Sequence, residues 1–276
     1  MSRLAETVCQ ELLQAISSDQ LVLPTLPESA LRIREAAQQP DIGIAELAKE
    51  VGSDTALTAR LIRVANSPLM RARSEITDLQ MAISRLGINY TCTLAMGLAM
   101  EQLFRAKSRL IERKMHEIWS KSLEVSSISY VLSRHYTRLA PEQAALAGLV
   151  HQIGALPILT YAESHPTLLE DPHSLAFVID EIHPVIGERI LQRWNFPESI
   201  AAIPTQHLNF SRDSDEVDYA DVIQVAVLQS YLGTSHLLAA VDWSQVAAFA
   251  KLGLDPEVDN KEDNDLAASL TMAMAG

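Results

Sequence analysis

The amino-acid sequence predicts an all-α protein of 276 residues, and two observations support that fold class. Apolar residues recur at the three- and four-residue spacing of amphipathic helices along most of the chain. Aromatic residues make up only 5% of it, and no long alternating run of Val, Ile and Thr bounded by turn residues is present. We therefore expect two helical lobes, residues 1–108 and 109–253, followed by an acidic linker and tail over residues 254–276.

The first lobe begins with an amphipathic helix over residues 4–16, and Pro27 is placed to open a second helix that Pro40 ends. Two short helices should follow, with Gly52 ending one and Ser53 or Asp54 capping the other. This is the spacing of a helix-turn-helix, a motif that can bind DNA. The first turn of its second helix offers small and apolar side chains in place of groups that read bases. We therefore interpret both helices as packing elements.

A capped helix and a buried helix complete the first lobe. Thr77 or Asp78 can cap a helix that Gly87 ends. Residues 88–104 are then nearly uncharged and apolar on all sides, which predicts a buried helix that joins the two lobes.

In the second lobe, proline and cap residues divide the chain into helices. We expect a helix over residues 111–135, and another that Pro141 opens, that carries His151 and that ends or kinks before Pro157. Ser174 should cap a short helix ending near residue 182, after which His183 and Pro184 begin a separate helix. Helices also follow Pro197 and cover residues 217–233. The acidic start of the tail predicts a solvated or disordered segment, with a short helix over residues 266–274.

The net charge of −13 is unevenly distributed. Residues 1–110 hold 12 basic and 12 acidic residues, whereas residues 111–276 hold 10 basic and 23 acidic ones. Binding to nucleic acid depends on Lys and Arg neutralising phosphates, so nucleic acid is an unfavourable partner. Cys9 and Cys92 lack the spacing of a zinc site, which fits a reducing cytoplasm. No signal peptide is evident, and the apolar run 88–100 is too short to span a bilayer, so we expect a cytoplasmic protein without membrane association.

Several short motifs occur in a fixed order along residues 21 to about 235. They are Leu23-Pro24-x-Leu26-Pro27, Ser53-Asp54-x-Ala56-Leu57, Ala65-Asn66-Ser67, Ala82-Ile83-x-x-Leu86-Gly87, Gly148-Leu149-x-His151-x-Ile153-Gly154 and His183-Pro184-x-x-Gly187. This series resembles the HDOD family, the HD-related output domains of bacteria, which are related to HD-type metal-dependent phosphohydrolases. The resemblance implies a helical lobe packed on an HD-like lobe, and a regulatory role in signal transduction in place of proven catalysis.

The resemblance also identifies the positions that hold metal in HD hydrolases. Here those positions are occupied by Lys121 in place of the first His, His151, Gln152 in place of Asp, His183, Gln206-His207 in place of a His pair, and Asp221. A lysine is a cation and repels a divalent ion, and the neutral amide of glutamine is a poor metal ligand. We therefore expect no resident metal and no other cofactor. If a divalent metal were retained, its ligands would be His151, His183, His207 and Asp221.

Each of these residues also has a purely structural interpretation. A histidine on an apolar helix face is more often hydrogen-bonded in a core than bound to metal. A buried Asp221 would need a partner, and Lys121 or one of the histidines could provide it. The sequence thus favours a metal-free polar cluster.

Three functional hypotheses follow. The first is a non-catalytic regulatory or scaffold module that binds an unidentified signalling protein or small ligand. The second is a metal-dependent phosphohydrolase of nucleotides or cyclic dinucleotides, and the third, weaker one is a DNA-binding regulator. For the first hypothesis, the candidate partner-binding residues form a basic stretch that would suit an acidic partner or a phosphate-bearing ligand: Arg60, Arg63, Arg71, Arg73 and Arg85.

Overall fold

The computed structural model describes residues 3–18, 20–39, 41–70, 74–212, 214–256, 258 and 260–275, and the regular elements in these ranges are helices without any strand. The predicted all-α class is therefore confirmed. The helices are α1 (Arg3–Ser17), α2 (Glu28–Ala37), α3 (Ile44–Val51), α4 (Thr55–Ala65), α5 (Leu79–Leu86), α6 (Ile88–Ala99), α7 (Arg109–Tyr136), α8 (Pro141–Val150), α9 (Ala155–Glu163), α10 (Pro166–Leu169), α11 (Pro172–Arg193), α12 (Glu198–Ala201), α13 (Ile203–Gln206), α14 (Tyr219–Ser230), α15 (Ala247–Lys251) and α16 (Lys261–Ala275). Pro40, the predicted end of the second helix, lies outside the described residues.

Local capping chemistry sets the helix boundaries of the first lobe. The Asp54 carboxylate accepts a hydrogen bond from the Leu57 N–H at 3.0 Å, which caps α4, and Asp78 caps α5 in the same way. Gly87 separates α5 from α6 with a φ of 84°, a conformation that side-chain-bearing residues rarely adopt. Helix α6 is buried over most of its surface and packs against α2, α4, α5 and α8. The predicted buried connection between the two parts of the chain is thus present.

Both ends of the chain pack on distant helices. Helix α1 lies on α11, and the hydroxyl of Tyr161 at the end of α9 donates to the Glu11 carboxylate of α1 at 2.6 Å. Helix α16 packs on α7 and α4, with Ala267, Leu270 and Met274 buried. It begins before the predicted residue 266 and includes part of the acidic stretch expected to be solvated or disordered. Acidic residues in its first turn favour a helix amino terminus, which explains the difference.

The segment that carries His151 is not one helix that Pro157 interrupts. Helix α8 ends at Val150, α9 begins at Ala155, and His151 lies in the turn between them. Pro157 occupies the first turn of α9, where a missing N–H costs nothing, so the expected kink at this proline was wrong.

The same segment contains a longer apolar run than the one considered above for spanning a bilayer. Residues 143–162 form an uncharged run longer than residues 88–100. The stretch Pro141–Glu163 is long and apolar enough to cross a membrane by length and composition, yet 83% of its most apolar window is buried inside the protein. It is a core element of the fold.

Helix α11, in contrast, is one continuous helix, whereas the sequence predicted two helices separated at Pro184. Proline cannot donate to the carbonyl four residues earlier, which here belongs to Asp180. The ring of His183 donates to the Ile179 carbonyl at 2.8 Å and also interacts with the Asp180 carbonyl. The histidine therefore compensates for the missing donor and the helix continues. Its cap is Asp171, in place of the predicted Ser174.

Gly154 permits the close crossing of the α8–α9 turn over α11. A Cβ atom at this position would lie 1.9 Å from the His183 carbonyl oxygen and 2.5 Å from the Gly187 nitrogen. We expect Gly154→Ala to lower the free energy of unfolding by about 3 kcal/mol, since backbone atoms cannot move aside as a flexible side chain can. Urea unfolding measures the effect.

Gly43→Ala is the matched control for that substitution. Among the described residues, no heavy atom beyond its chain neighbours lies within 4 Å of the Cβ that it adds, so its cost should stay below about 1 kcal/mol, from the weaker cap of α3. Equal unfolding midpoints for Gly154→Ala and the unmodified protein would contradict the described crossing.

Candidate functional site

The fold brings together three histidines from separate elements: His151 after α8, His183 in α11 and His207 after α13. We call them the histidine cluster. Their exposed fractions are only 1%, 2% and 1%. The ring centroid of His207 lies 5.2 Å from that of His151 and 5.5 Å from that of His183, and both pairs meet edge to face.

Every Nδ1 atom of the histidine cluster is bonded to a backbone carbonyl. The bonds run from His151 to Gly148 at 2.6 Å, from His183 to Ile179 at 2.8 Å, and from His207 to Pro204 at 2.9 Å. A carbonyl can only accept, so the proton of each neutral ring is on Nδ1 and its Nε2 carries a lone pair. The Nε2 of His183 is buried and has no hydrogen-bond partner within the described ranges.

Burial keeps the cluster neutral. Desolvation lowers the pKa of His151 to about 4 and that of His183 to about 4, and the nearby charge of Lys121 acts in the same direction on His151. The pKa of His207 is also well below its usual range, because of burial first and its two histidine neighbours second. At neutral pH the cluster therefore consists of three uncharged imidazoles.

Lys121, which the resemblance places where HD hydrolases have their first histidine, is held by several groups. Its ammonium donates to the Ser230 carbonyl and to the Glu124 carboxylate, both at 2.7 Å. It also lies 4.5 Å from the ring centroid of Tyr231, in a cation–π contact. A cation that satisfies a helix-end carbonyl, a carboxylate and an aromatic face is a stable occupant of this position.

Gln152 and Gln206, the glutamines at expected ligand positions, also form hydrogen bonds, Gln152 through its side chain and Gln206 through its backbone. The side chain of Gln152 hydrogen bonds to Tyr231, the same residue that Lys121 covers. The backbone carbonyl of Gln206 accepts from the buried amide of Gln224 at 3.0 Å. Lys121 and Gln152 therefore both contact Tyr231, a residue that was not among the site residues predicted from the sequence. The only sequence signal was that Tyr231 lies near the end of the predicted helix over residues 217–233.

Asp221 does not pair with Lys121 or with a histidine, so that prediction was wrong. Its buried carboxylate accepts from Arg212 Nη1 at 2.6 Å and from Lys251 Nζ at 3.4 Å. It also accepts from the Asp218 N–H at 3.1 Å, which completes a reciprocal capping box at the start of α14. The spacing Asp218-x-x-Asp221 was the sequence signal for this role.

The arginines proposed as a partner-binding face are partly engaged within the protein. Arg60 forms an ion pair with Glu101, and Arg63 Nε donates to the Ala273 carbonyl of α16 at 3.4 Å. Arg85 donates to the Met70 carbonyl. The two remaining candidates lie outside the described residues: Arg71 and Arg73. The basic partner-binding face thus stays a prediction.

The residues of the site do not fit an HD-type metal centre. Such a centre uses a carboxylate next to the histidine, and Gln152 provides an amide there, while Asp221 is bound to Arg212 and Lys251. Over the ranges that the structure describes, no group of three or more His, Cys, Asp or Glu side chains is arranged to hold a metal ion. The fold is that of an HD-like helical protein, and its site combines three buried histidines with the ammonium of Lys121 near His151.

Comparison with known proteins identifies the family. Residues 23–210 match the family model of the HDOD domain, and the chain belongs to the HDOD family. It is 30% identical to a candidate metal-dependent phosphohydrolase from Shewanella amazonensis SB2B, with a TM-score of 0.86 and coverage of 98% of this chain and 99% of that one.

More distant relatives share the fold. An HDOD domain protein of unknown function from Geobacter sulfurreducens is 22% identical, with a TM-score of 0.63 and coverage of 98% and 95%. A candidate signal transduction protein from Marinobacter aquaeolei VT8 is 24% identical, with a TM-score of 0.66 and coverage of 94% and 61%. An uncharacterized protein from Treponema pallidum (strain Nichols) is 23% identical over 211 residues, which are 70% of this chain but only 39% of that protein's length.

Proposed function

We propose that this protein is a non-catalytic regulatory or scaffold module of bacterial signal transduction, which acts by binding a protein or a small ligand. The observation that carries the proposal is Lys121. Its ammonium lies near His151, where the resemblance implies the first histidine ligand, and hydrogen bonds to Ser230 and Glu124 fix it there. Membership of the HDOD family supports the signalling role.

A metal-dependent phosphohydrolase of nucleotides or cyclic dinucleotides is the second candidate function, and the tautomers of the histidine cluster favour it. Histidines that bind metal usually donate their other ring N–H to a carbonyl or carboxylate, as His151, His183 and His207 do. The missing carboxylate and the adjacent ammonium count against this candidate, because both reduce the attraction for a divalent cation.

DNA binding, the weakest hypothesis, is disfavoured by the packing of α16. The helix covers part of α4, which would be the recognition helix, and Arg63 of α4 bonds to the backbone of α16. We therefore expect no binding to duplex DNA at physiological salt.

Metal content tests the proposal. We expect the purified protein to carry substoichiometric Fe, Mn, Zn and Ni by mass spectrometry, and no hydrolysis of p-nitrophenyl phosphate or cyclic dinucleotides. Lys121→His combined with Gln152→Asp should increase metal affinity about 10–100-fold, since the pair removes a positive charge and adds an imidazole and an anionic oxygen.

Lys121→Met is the matched control because it removes the charge without adding a ligand, and its metal content should change much less. The opposite result would make the protein an enzyme: stoichiometric metal in the unmodified protein, lost on His151→Ala together with metal-dependent turnover.

A further inference from the structure

A groove of about 980 Å³ lies between α7, the end of α14, the turns over residues 237–245 and α16. Its apolar lining includes Ile128, Leu232, Trp243, Val258 and Met272. The indole of Trp243 stacks on Phe249 with 4.9 Å between ring centroids, which gives the groove a rigid aromatic wall. The volume is at the upper end of the range of small-ligand pockets, roughly 300–1,000 Å³.

Large apolar side chains are unusually exposed along this groove. Leu232 is 60% exposed, Val258 64% and Met272 71%, and Leu237 in the adjoining turn is 87% exposed. Apolar side chains scattered singly on a surface need no explanation, whereas a contiguous set of them marks an interaction site. The groove therefore has the character of a surface that a partner covers.

The charge of the groove restricts the partner. The carboxylates of Glu124 and Asp242 line it, and no Lys, Arg or His is among its described lining residues. The surrounding half of the chain, residues 111–276, contains 23 acidic and 10 basic residues. A partner with basic groups around an apolar surface would be attracted and oriented by this field, whereas an acidic one would be repelled.

We propose that this groove binds a basic amphipathic helix of a partner protein. The 28-residue helix α7 and the 15-residue helix α16 border it, and a groove between helices accepts a third helix through apolar side chains spaced three and four residues apart. Helix α16 is about 22 Å long at 1.5 Å per residue, so several turns of a partner could lie along it.

The groove is connected to the histidine cluster through Glu124 and Lys121. Glu124 lines the groove and also accepts from Lys121, which in turn contacts Tyr231 and lies near His151. A partner with a Lys or Arg beside Glu124 would compete with Lys121 for that carboxylate. This inference rests on the proposed regulatory function: a basic amphipathic helix is the class of partner that the proposed module would bind.

A model peptide tests the inference on the full chain. The probe is a fluorescein-labelled helix of Leu and Lys in amphipathic order, about 18 residues or five turns long, and the comparator has Glu in place of Lys. We expect anisotropy to show saturable binding of the Lys peptide and none of the Glu peptide. Leu232→Ser and Met272→Ser should each weaken binding about tenfold, with unchanged circular dichroism, since each removes an apolar anchor.

Two further variants separate groove binding from general attraction to an acidic protein. Val22→Ser changes an 88% exposed apolar residue that does not line the groove and should leave affinity unchanged. Asp242→Asn keeps a capping oxygen but removes a charge, and should weaken binding about threefold with a smaller dependence on salt.

Three results would overturn the inference: absence of Lys-peptide binding, equal affinity in the Ser variants, or equal binding of the Glu peptide. A dimer that Leu232→Ser dissociates, with no peptide binding, would assign the groove to a second copy of the chain. The proposed non-catalytic function is tested separately by metal content. A negative peptide-binding result would therefore reject the groove inference without rejecting the proposed function.

Discussion

Acidification from pH 7 to pH 4 is expected to unfold this protein, because the histidine cluster cannot accept protons without leaving its buried position. In the unfolded chain a histidine has a pKa of about 6.5, so below that pH the unfolded state binds protons that the folded state does not. The folded-state pKa is about 4 for both His151 and His183. The stability that they confer is thus fully present above pH 6.5 and is lost as the pH falls toward 4.

The size of this effect is large for a protein of ordinary stability. The shifts correspond to about 3 kcal/mol for each of His151 and His183, and His207 contributes in the same direction. Typical domains have only about 5–15 kcal/mol in total. Urea unfolding at pH 7, 6 and 5 should show the free energy of unfolding falling at each step.

His207→Gln should flatten that dependence by about 1.4 kcal/mol per pH unit, because it removes one of the titrating groups. His116→Gln is the control, since His116 is an exposed histidine of α7 outside the histidine cluster. An equal free energy of unfolding at pH 5 and pH 7 would show that the cluster is not buried as described.

Asp221→Ala is expected to reduce the free energy of unfolding by about 3–5 kcal/mol, the usual cost of removing one partner from a buried ion pair. The substitution leaves the mostly buried Arg212 and Lys251 without a carboxylate that is only 1% exposed. It also removes the acceptor for the Asp218 N–H at the start of α14.

Asp218→Ala separates the cap from the buried charge. The Asp218 side chain is 46% exposed and bonds to the same Arg212, so its loss should cost only about 1–2 kcal/mol. Guanidinium unfolding of both variants, with metal content measured in parallel, decides the role of Asp221. Unchanged stability with a loss of bound metal would show that Asp221 acts as a metal ligand.

The fold was predictable from the sequence wherever local chemistry decides the outcome. Asp54 and Asp78 form side-chain caps that depend on neighbours three residues away, and Gly87 ends its helix by backbone conformation alone. Prediction failed at Pro157, which was expected to end or kink a helix, and at Pro184, which was expected to begin a separate one. At Pro184 the helix continues because the ring of His183 bonds to carbonyls of the preceding turn, an arrangement that depends on three-dimensional geometry.

The clustering of the three histidines agrees with the resemblance, whereas the polar contacts around them could not be predicted from the sequence. The resemblance to HDOD proteins indicated His151, His183 and His207, which the fold does bring together. The partners of Lys121 and Asp221 were not predictable, since they belong to segments far away in sequence, such as the Ser230 carbonyl and Lys251. Helix periodicity indicates which face of a helix is buried but gives no information about which distant polar group meets it.

The packing of α1 on α11 affects how the protein can fold during its synthesis. Helix α1 leaves the ribosome before α11, the helix on which it packs and which begins only at Pro172. At about 5–20 residues per second, this delay is on the order of ten seconds or more. During that time the apolar face of Val8, Leu12 and Ile16 has no native partner on α11 and stays open to contact with other apolar surfaces.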